Sequence, residues 1–234
     1  MGMVPGLLFV LTEPLDPALS DAQFNDWYSN KHVVDTVNFG LAALAVRYRN
    51  INGSHKWPYL ALYRLPDLLK VYDKKFMSSL PTDSPKGWGA PSSKADVRFK
   101  PQGYQLLKTF EGENARAGTS KFVQTAEVQN SSMNAKSFVA FCEESQFDDI
   151  DKEQGYRRSM LYQAGLSLVP QEGKAGTDFE SVEQRQPTYL VVHEFDQMPS
   201  NRVWQQRDMG LWEYISEYGT GLYRTEPVPV KLYN

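Results

Sequence analysis

The feature that most constrains this chain is that it repeats itself. Sliding the 234 residues by 114 positions pairs Glu13 with Glu127, Phe24 with Phe138, Trp27 with Phe141, Asp35 with Asp149 and Tyr48 with Tyr162 without a gap. Farther along, W-P-Y-L-A-L-Y-R-L-P-D (57–67) matches P-T-Y-L-V-V-H-E-F-D (187–196), so that Tyr59 meets Tyr189 and Tyr63 meets His193. An insertion within the Gly- and charge-rich stretch Q-E-G-K-A-G-T-D-F-E-S (171–181), expected as an exposed loop, accounts for the larger offset.

Hydrophobic patterning then gives each copy its elements. In the first, 7–13 reads as a strand, 20–37 as an amphipathic helix, 45–49 and 58–65 as strands, 67–79 as a second helix and 104–110 as a closing strand. In the second copy the second helix is expected over 201–218 and the closing strand over 228–233. That order, β-α-β-β-α-β, is a ferredoxin-like unit. One such sheet leaves a face uncovered, and two copies in one chain can bury those faces against each other. The expected fold is α+β: tandem ferredoxin-like repeats over 1–112 and 119–234, with antiparallel sheets packed into an intramolecular, pseudo-dimeric α+β barrel. The polar stretch E-G-E-N-A-R-A-G-T-S (111–120) is the expected linker.

A net charge of −3 offers no basic field for polyanions, so the reading includes no nucleic acid and no membrane partner. Cys142 is alone, which excludes an intramolecular disulfide, and the apolar start is too short to span a bilayer; both point to a cytoplasmic protein. Walker, G-x-G-x-x-G, G-x-S-x-G and H-E-x-x-H motifs are missing from the sequence, and three scattered histidines do not suggest a metal site. His55 lies in a polar turn. No cofactor and no metal are expected.

F-N-D-W-Y-S-N-K-H followed by a Y-L-A-L-Y strand, with P-T-Y-L-V-V-H-E-F-D in the second copy, resembles the EthD-like branch of the dimeric α+β barrel superfamily, in the tandem form seen in fungal proteins. The resemblance spans nearly the whole chain. It implies the barrel fold, and it implies that His32 is the histidine of the family's W-Y-x-x-x-H pattern. The superfamily includes cofactor-free monooxygenases, polyketide cyclases, dehydratases and haem proteins, so fold carries over better than function.

His32 lies at the edge of an apolar stripe made by Phe24, Trp27, Tyr28 and Val34, and Asp35 follows at i+3, within reach of one imidazole nitrogen. The bland alternative is a helix-end histidine that completes a cap. Against it, the second copy keeps Phe138, Phe141 and Asp149 but replaces His32 by Gln146 and Tyr28 by Cys142, so packing outlived the titratable group. His193 alternates with Tyr189, Val191 and Phe195 on one strand face, and its mate is Tyr63; both can donate, accept or move a proton, or simply bond a loop carbonyl. Arg47 and Arg49 share a strand face, where they either clamp a carboxylate or enolate or are solvated. The recurring Glu13 and Glu127 read as structural. Aromatics, including Trp204, Trp212, Tyr214 and Tyr218 on the expected second helix, are mostly core.

The reading is therefore a cofactor-free lyase- or cyclase-type enzyme of secondary metabolism acting on an aromatic or polyketide-type small molecule by cyclisation, dehydration, decarboxylation or isomerisation. His32, oriented by Asp35, is the base; Tyr63 and His193 are acids or oxyanion donors; Trp27, Tyr28, Arg47, Arg49 and Tyr59 contact substrate. A cofactor-free monooxygenase and a non-catalytic binding or stress barrel are the alternatives, the latter favoured by solvated histidines and a barrel filled with side chains. A homodimer is compatible with all three.

Overall fold

The computed structural model describes residues 3–51, 56–80, 97–129, 133–145, 150–170, 179–182, 188–200 and 209–219. Expectations for His55, Gln146, Asp149, Trp204, the stretch 171–178 and the strand 228–233 lie outside the described residues.

The chain runs β1 (Gly6–Pro14), α1 (Asp21–Trp27), a π-helical turn (Tyr28–His32), α2 (Val33–Asn38), β2 (Leu44–Asn50), β3 (Tyr59–Leu65), a 3₁₀ turn (Leu68–Tyr72), α3 (Lys74–Ser78) and β4 (Val97–Glu111). It continues with β5 (Phe122–Gln129), α4 (Ala135–Ser145), β6 (Tyr156–Pro170), β7 (Phe179–Val182), β8 (Thr188–Phe195) and β9 (Met209–Gly219). The strand order is β4-β1-β3-β2-β9-β5-β8-β6, and a β4–β6 pairing closes these eight antiparallel strands into a barrel, with β7 outside on β6. Both halves arrange their strands in the sequence last, first, third, second.

Alternation along the strands builds two layers. Leu7, Phe9, Val46, Tyr48, Leu62, Tyr162, Val192 and Trp212 point into the barrel and form one core. Leu8, Val10, Ala61 and Tyr63 point outward and pack under Phe24, Tyr28 and Val33 of the first helical segment. Fully burying a large apolar side chain is worth about 1.5–3 kcal/mol.

The lumen is filled. Its cavity is about 10 Å³, enough for about one water. At one end Glu194 ion-pairs with Arg158 (3.2 Å) and Arg64 (3.5 Å); toward the other, Tyr104 donates to Glu127 across the barrel (3.0 Å). One of the two conditions set for a non-catalytic barrel is thus met. The second, solvated histidines, is not, because His193 is buried and the partly exposed His32 packs its ring against Trp27, Tyr28 and Phe99.

The first helix starts and stops for local reasons. Ser20 forms a capping box with Gln23, satisfying two orphan amides at the N-terminus. At the far end the Gly40 amide bonds Val37 O and the Leu41 amide bonds Thr36 O, a Schellman pair that needs the left-handed φ of 85° taken by Gly40. The second helix expected over 67–79 is split in two, because Asp67 caps the 3₁₀ turn and Asp73 starts a new helix.

The helix expected over 201–218 is overturned within the described residues: 209–219 is the strand β9, inserted between β2 and β5. Trp212, Tyr214, Ser216 and Tyr218 recur at every second position, which is a strand spacing, and Gly210 and Gly219 bracket the run. β9 thereby takes the place assigned to 228–233 as the second half's closing strand.

Arg49 projects to the surface, where Nε and Nη2 both donate to Glu213 of β9 (3.0 and 2.6 Å). Exposed pairs contribute little because water screens them. Arg49→Ala is expected to cost less than about 1 kcal/mol in urea unfolding; a loss of several would mean that this link holds the β2–β9 seam. No described helix is long and apolar enough to cross a membrane.

Candidate functional site

The helical segment over β1, β3 and β4 does not keep α-helical register. At Val33 the amide reaches back to Tyr28 O, a π-type bond that adds one residue to the turn Tyr28–His32. That extra residue changes which side chains face the sheet: Val33 and Thr36 are buried, whereas Val34, expected on the apolar stripe, is only half-buried. It also sets the imidazole of His32 among aromatic rings. Trp27 stacks on it with centroids 5.2 Å apart, Tyr28 meets it edge-on at 4.9 Å, and Phe99 of β4 lies at 6.2 Å.

This environment decides the protonation of His32. Although the residue retains some exposure, its ring is walled in, and desolvation pushes its pKa down to about 4, with Asp35 pulling the other way and Arg47 and Lys31 adding to the fall. The ring is neutral at pH 7 and able to accept a proton. Asp35 does not orient it as expected, because its carboxylate pairs with Lys31 Nζ at 2.8 Å. Among the described residues no side chain hydrogen-bonds the His32 ring.

Below the ring, Tyr63 on β3 donates to the hydroxyl of Tyr28 at 3.2 Å, and both residues are buried. Burial raises the pKa of each, Tyr63 well above the usual phenol value, so both stay protonated and able to donate. The guanidinium of Arg47 lies 4.3 Å over the Tyr28 ring, between Phe24 and Tyr59. The Tyr59 hydroxyl accepts from Asn25 Nδ2 (3.2 Å), and burial together with a bond to Asp21 pushes its pKa up to about 12. Thr12 sits between Tyr59 and Phe99 in the sheet register, fully buried, and its Oγ1 has no partner among the described residues.

Trp27, Tyr28, His32, Arg47, Tyr59 and Tyr63 thus meet in one layer. The rest of the expected set does not join them. The pair of arginines forms no clamp: Arg47 turns inward to Asn25 and Ser29, while Arg49 holds Glu213 at the surface. His193 is on β8 in the other half, where Nδ1 is 2.6 Å from Ser159 Oγ and that oxygen is 2.8 Å from the Tyr156 hydroxyl. Burial pushes His193 down to about 3.

In the second half the positions matching Phe24, Tyr28 and Arg47 hold Phe138, Cys142 and Leu161, which pack in an apolar cluster. Phe138 stacks on Tyr189 at 4.1 Å, and Cys142, in the place of Tyr28, is buried with its thiol pushed up to about 11, mainly by burial. Phe141, in the place of Trp27, is exposed. Among the described residues no three of His, Cys, Asp and Glu gather to hold a metal ion.

Sequence reasoning missed Asn25, Ser29, Phe99, Thr12 and Ser216. Asn25 and Ser29 stand at i, i+4 and could have been read as one polar face opposite Arg47. Ser216 was hidden by the misread strand.

No protein-family model matches the chain. It is 68% identical over 234 residues, the full length of both chains, to Core atranone cluster (CAC) protein 1 of Stachybotrys chlorohalonatus (strain IBT 40285). Among solved structures it is similar to an anthrone oxidase-like protein, with a TM-score of 0.56, 10% identity and 92% of each chain covered. At that identity the likeness is one of fold alone.

Proposed function

We propose, for a chain that belongs to the family of Core atranone cluster (CAC) protein 1, an enzyme of secondary metabolism that moves protons on a small aromatic or polyketide-type intermediate from the layer between the first helix and the sheet. The relative's name ties that protein to a core atranone cluster, and a setting in secondary metabolism is proposed here on that ground. The observation that carries the reading is the set of His32, Tyr28 and Tyr63. A neutral imidazole and two protonated phenols share one dry layer, so an acceptor and a donor are both ready at pH 7.

The chemistry is an enolisation. His32 takes a proton from an activated C–H, the electron pair moves into the adjacent carbonyl, and Tyr28, itself held by Tyr63, donates to the developing oxyanion. A base with a pKa near 4 suits a substrate that is already acidic. As the oxyanion forms, its charge raises the basicity of His32 and draws the proton across. Dehydration, decarboxylation, cyclisation and isomerisation all begin this way. The hydroxyl of Thr12, which has no partner among the described residues, offers a further contact for a polar substituent.

Symmetry supports a division of labour. The identical strand order of the halves favours a duplicated unit over 1–112 and 119–234, forming a pseudo-dimer of the EthD-like tandem kind. In that scheme the second half, with Cys142 in place of Tyr28, serves as scaffold, and His193 has a structural role.

The test begins in the native host. A strain lacking the gene is expected to accumulate an intermediate that the purified protein converts without added metal, flavin or nicotinamide. Oxygen consumed in step with conversion would replace the proton-transfer reading by a monooxygenase one. An unchanged metabolite profile would sink both.

A further inference from the structure

We infer that Arg47 is a positioning residue that holds the π-turn Tyr28–His32, and with it the imidazole of His32, in working geometry. The inference rests on the proposed role of His32 and adds a means by which the fold sets that residue's orientation.

A π-turn is unfavourable by itself, because the extra residue breaks the regular bonding of the helix and must be held from outside. Arg47 of β2 does this with its fork. Nη1 donates to the backbone carbonyl of Asn25 (3.2 Å) and to Ser29 Oγ (2.7 Å), while Nη2 donates to Asn25 Oδ1 (2.9 Å). These acceptors lie in the last turn of α1 and in the π-turn itself. Ser216 of β9 adds a bond from the other half, donating to Ser29 Oγ at 2.8 Å. The turn is therefore gripped from two strands that pair with each other at the seam of the barrel.

The electrostatics argue against a merely adventitious contact. Arg47 is only 1% exposed, yet among the described residues no carboxylate ion-pairs with it. Its charge faces the rings of Tyr28, Phe24 and Tyr59, and its donors go to neutral oxygens. A buried cation without an anionic partner costs stability. Its planar, multi-donor shape is what the turn uses, and lysine cannot reproduce it. The charged groups acting on His32 are Arg47, Lys31 and Asp35, and of these Arg47 alone bonds the turn from the sheet side.

The test reads His32 directly, by nuclear magnetic resonance titration of histidine-labelled protein, with His32→Gln identifying the signal. In the native protein the ring is expected to titrate near 4. Arg47→Met, which removes the fork and keeps the stem, is expected to move it up by at least about one unit toward the ordinary value near 6.5, as the turn relaxes and the ring hydrates. Arg47→Lys keeps the charge and is expected to move it in the same direction. If Lys holds the native value, charge alone is at work and the inference fails. Ser29→Ala, a milder change, is expected to give a smaller rise and covers the case in which Arg47→Met does not fold, whereas Arg49→Ala leaves the signal unmoved. An unshifted His32 in folded Arg47→Met and Ser29→Ala also overturns the inference. A shifted His32 alongside full turnover by His32→Gln overturns the proposed function instead and leaves Arg47 as the holder of the turn.

Discussion

Lowering the pH from 7 to 4 is expected to destabilise the protein by about 3 kcal/mol through His193 alone. In the folded chain this ring is pushed down to about 3, and in the unfolded chain it titrates near 6.5. Between those values the unfolded state binds a proton that the folded state refuses. Stability is therefore full above about 6.5, falls as the pH drops, and stops falling only below the folded value. The cause is geometric: His193 is 3% exposed, bonded to Ser159, which in turn bonds Tyr156, and edged by Phe195, so a charged ring there has lost its water. His32 adds a smaller slope of the same sign, reduced by its partial exposure. Carboxylates titrate in the same range, so the informative comparison is with His193→Gln. That variant keeps an amide able to bond Ser159, and its stability should decline far less steeply from pH 6.5 to 4.5 in urea unfolding. Parallel curves for the two proteins would show that the ring is hydrated or already charged in the native state.

Much of the barrel was legible because its signals are periodic. The matches of Glu13, Phe24 and Tyr48 with Glu127, Phe138 and Tyr162 sit on stretches whose strands follow the same order in the sheet, and alternation along 189–195 separated the two faces of that strand. β9 was misread for a physical reason. Its bulky residues Leu211, Tyr214 and Tyr218 also fall at i, i+3 and i+7, a spacing that suits a helix, and the counterpart of β4 in the second half was sought too far toward the C-terminus.

The site was half legible for a related reason. A helical wheel assumes a constant rotation per residue, and the π-turn breaks that assumption between Tyr28 and His32. The wheel found His32 but put Val34 in the core where Val33 belongs. It also gave Asp35 to His32, although Lys31, four residues before Asp35, competes successfully for the carboxylate. The inward turn of Arg47 could not be read from strand alternation, which gives the face of a side chain and not its partner.

The largest functional effect should come from His32→Gln, which is expected to lower turnover by a hundredfold to ten-thousandfold, or about 3–5 kcal/mol of barrier. Glutamine can donate and accept hydrogen bonds at this site but cannot carry a proton near neutral pH. Stability at pH 7 should change by no more than about 1 kcal/mol, since the neutral ring makes no described hydrogen bond and contributes mainly stacking on Trp27 and contact with Tyr28 and Phe99. Neighbouring variants separate proton transfer from packing. Tyr63→Phe removes the donor to Tyr28 while keeping the ring, and a loss of about tenfold with little change in unfolding is expected, because Tyr28 retains its own proton. Asp35→Asn should do less than either, since its carboxylate serves Lys31 and reaches His32 only through space. The order of effects, His32 before Tyr63 before Asp35, is what a proton-transfer site in this layer requires. If His32→Gln keeps full activity on the accumulated intermediate, or melts the protein at neutral pH, the imidazole is packing and the chemistry lies elsewhere in the barrel.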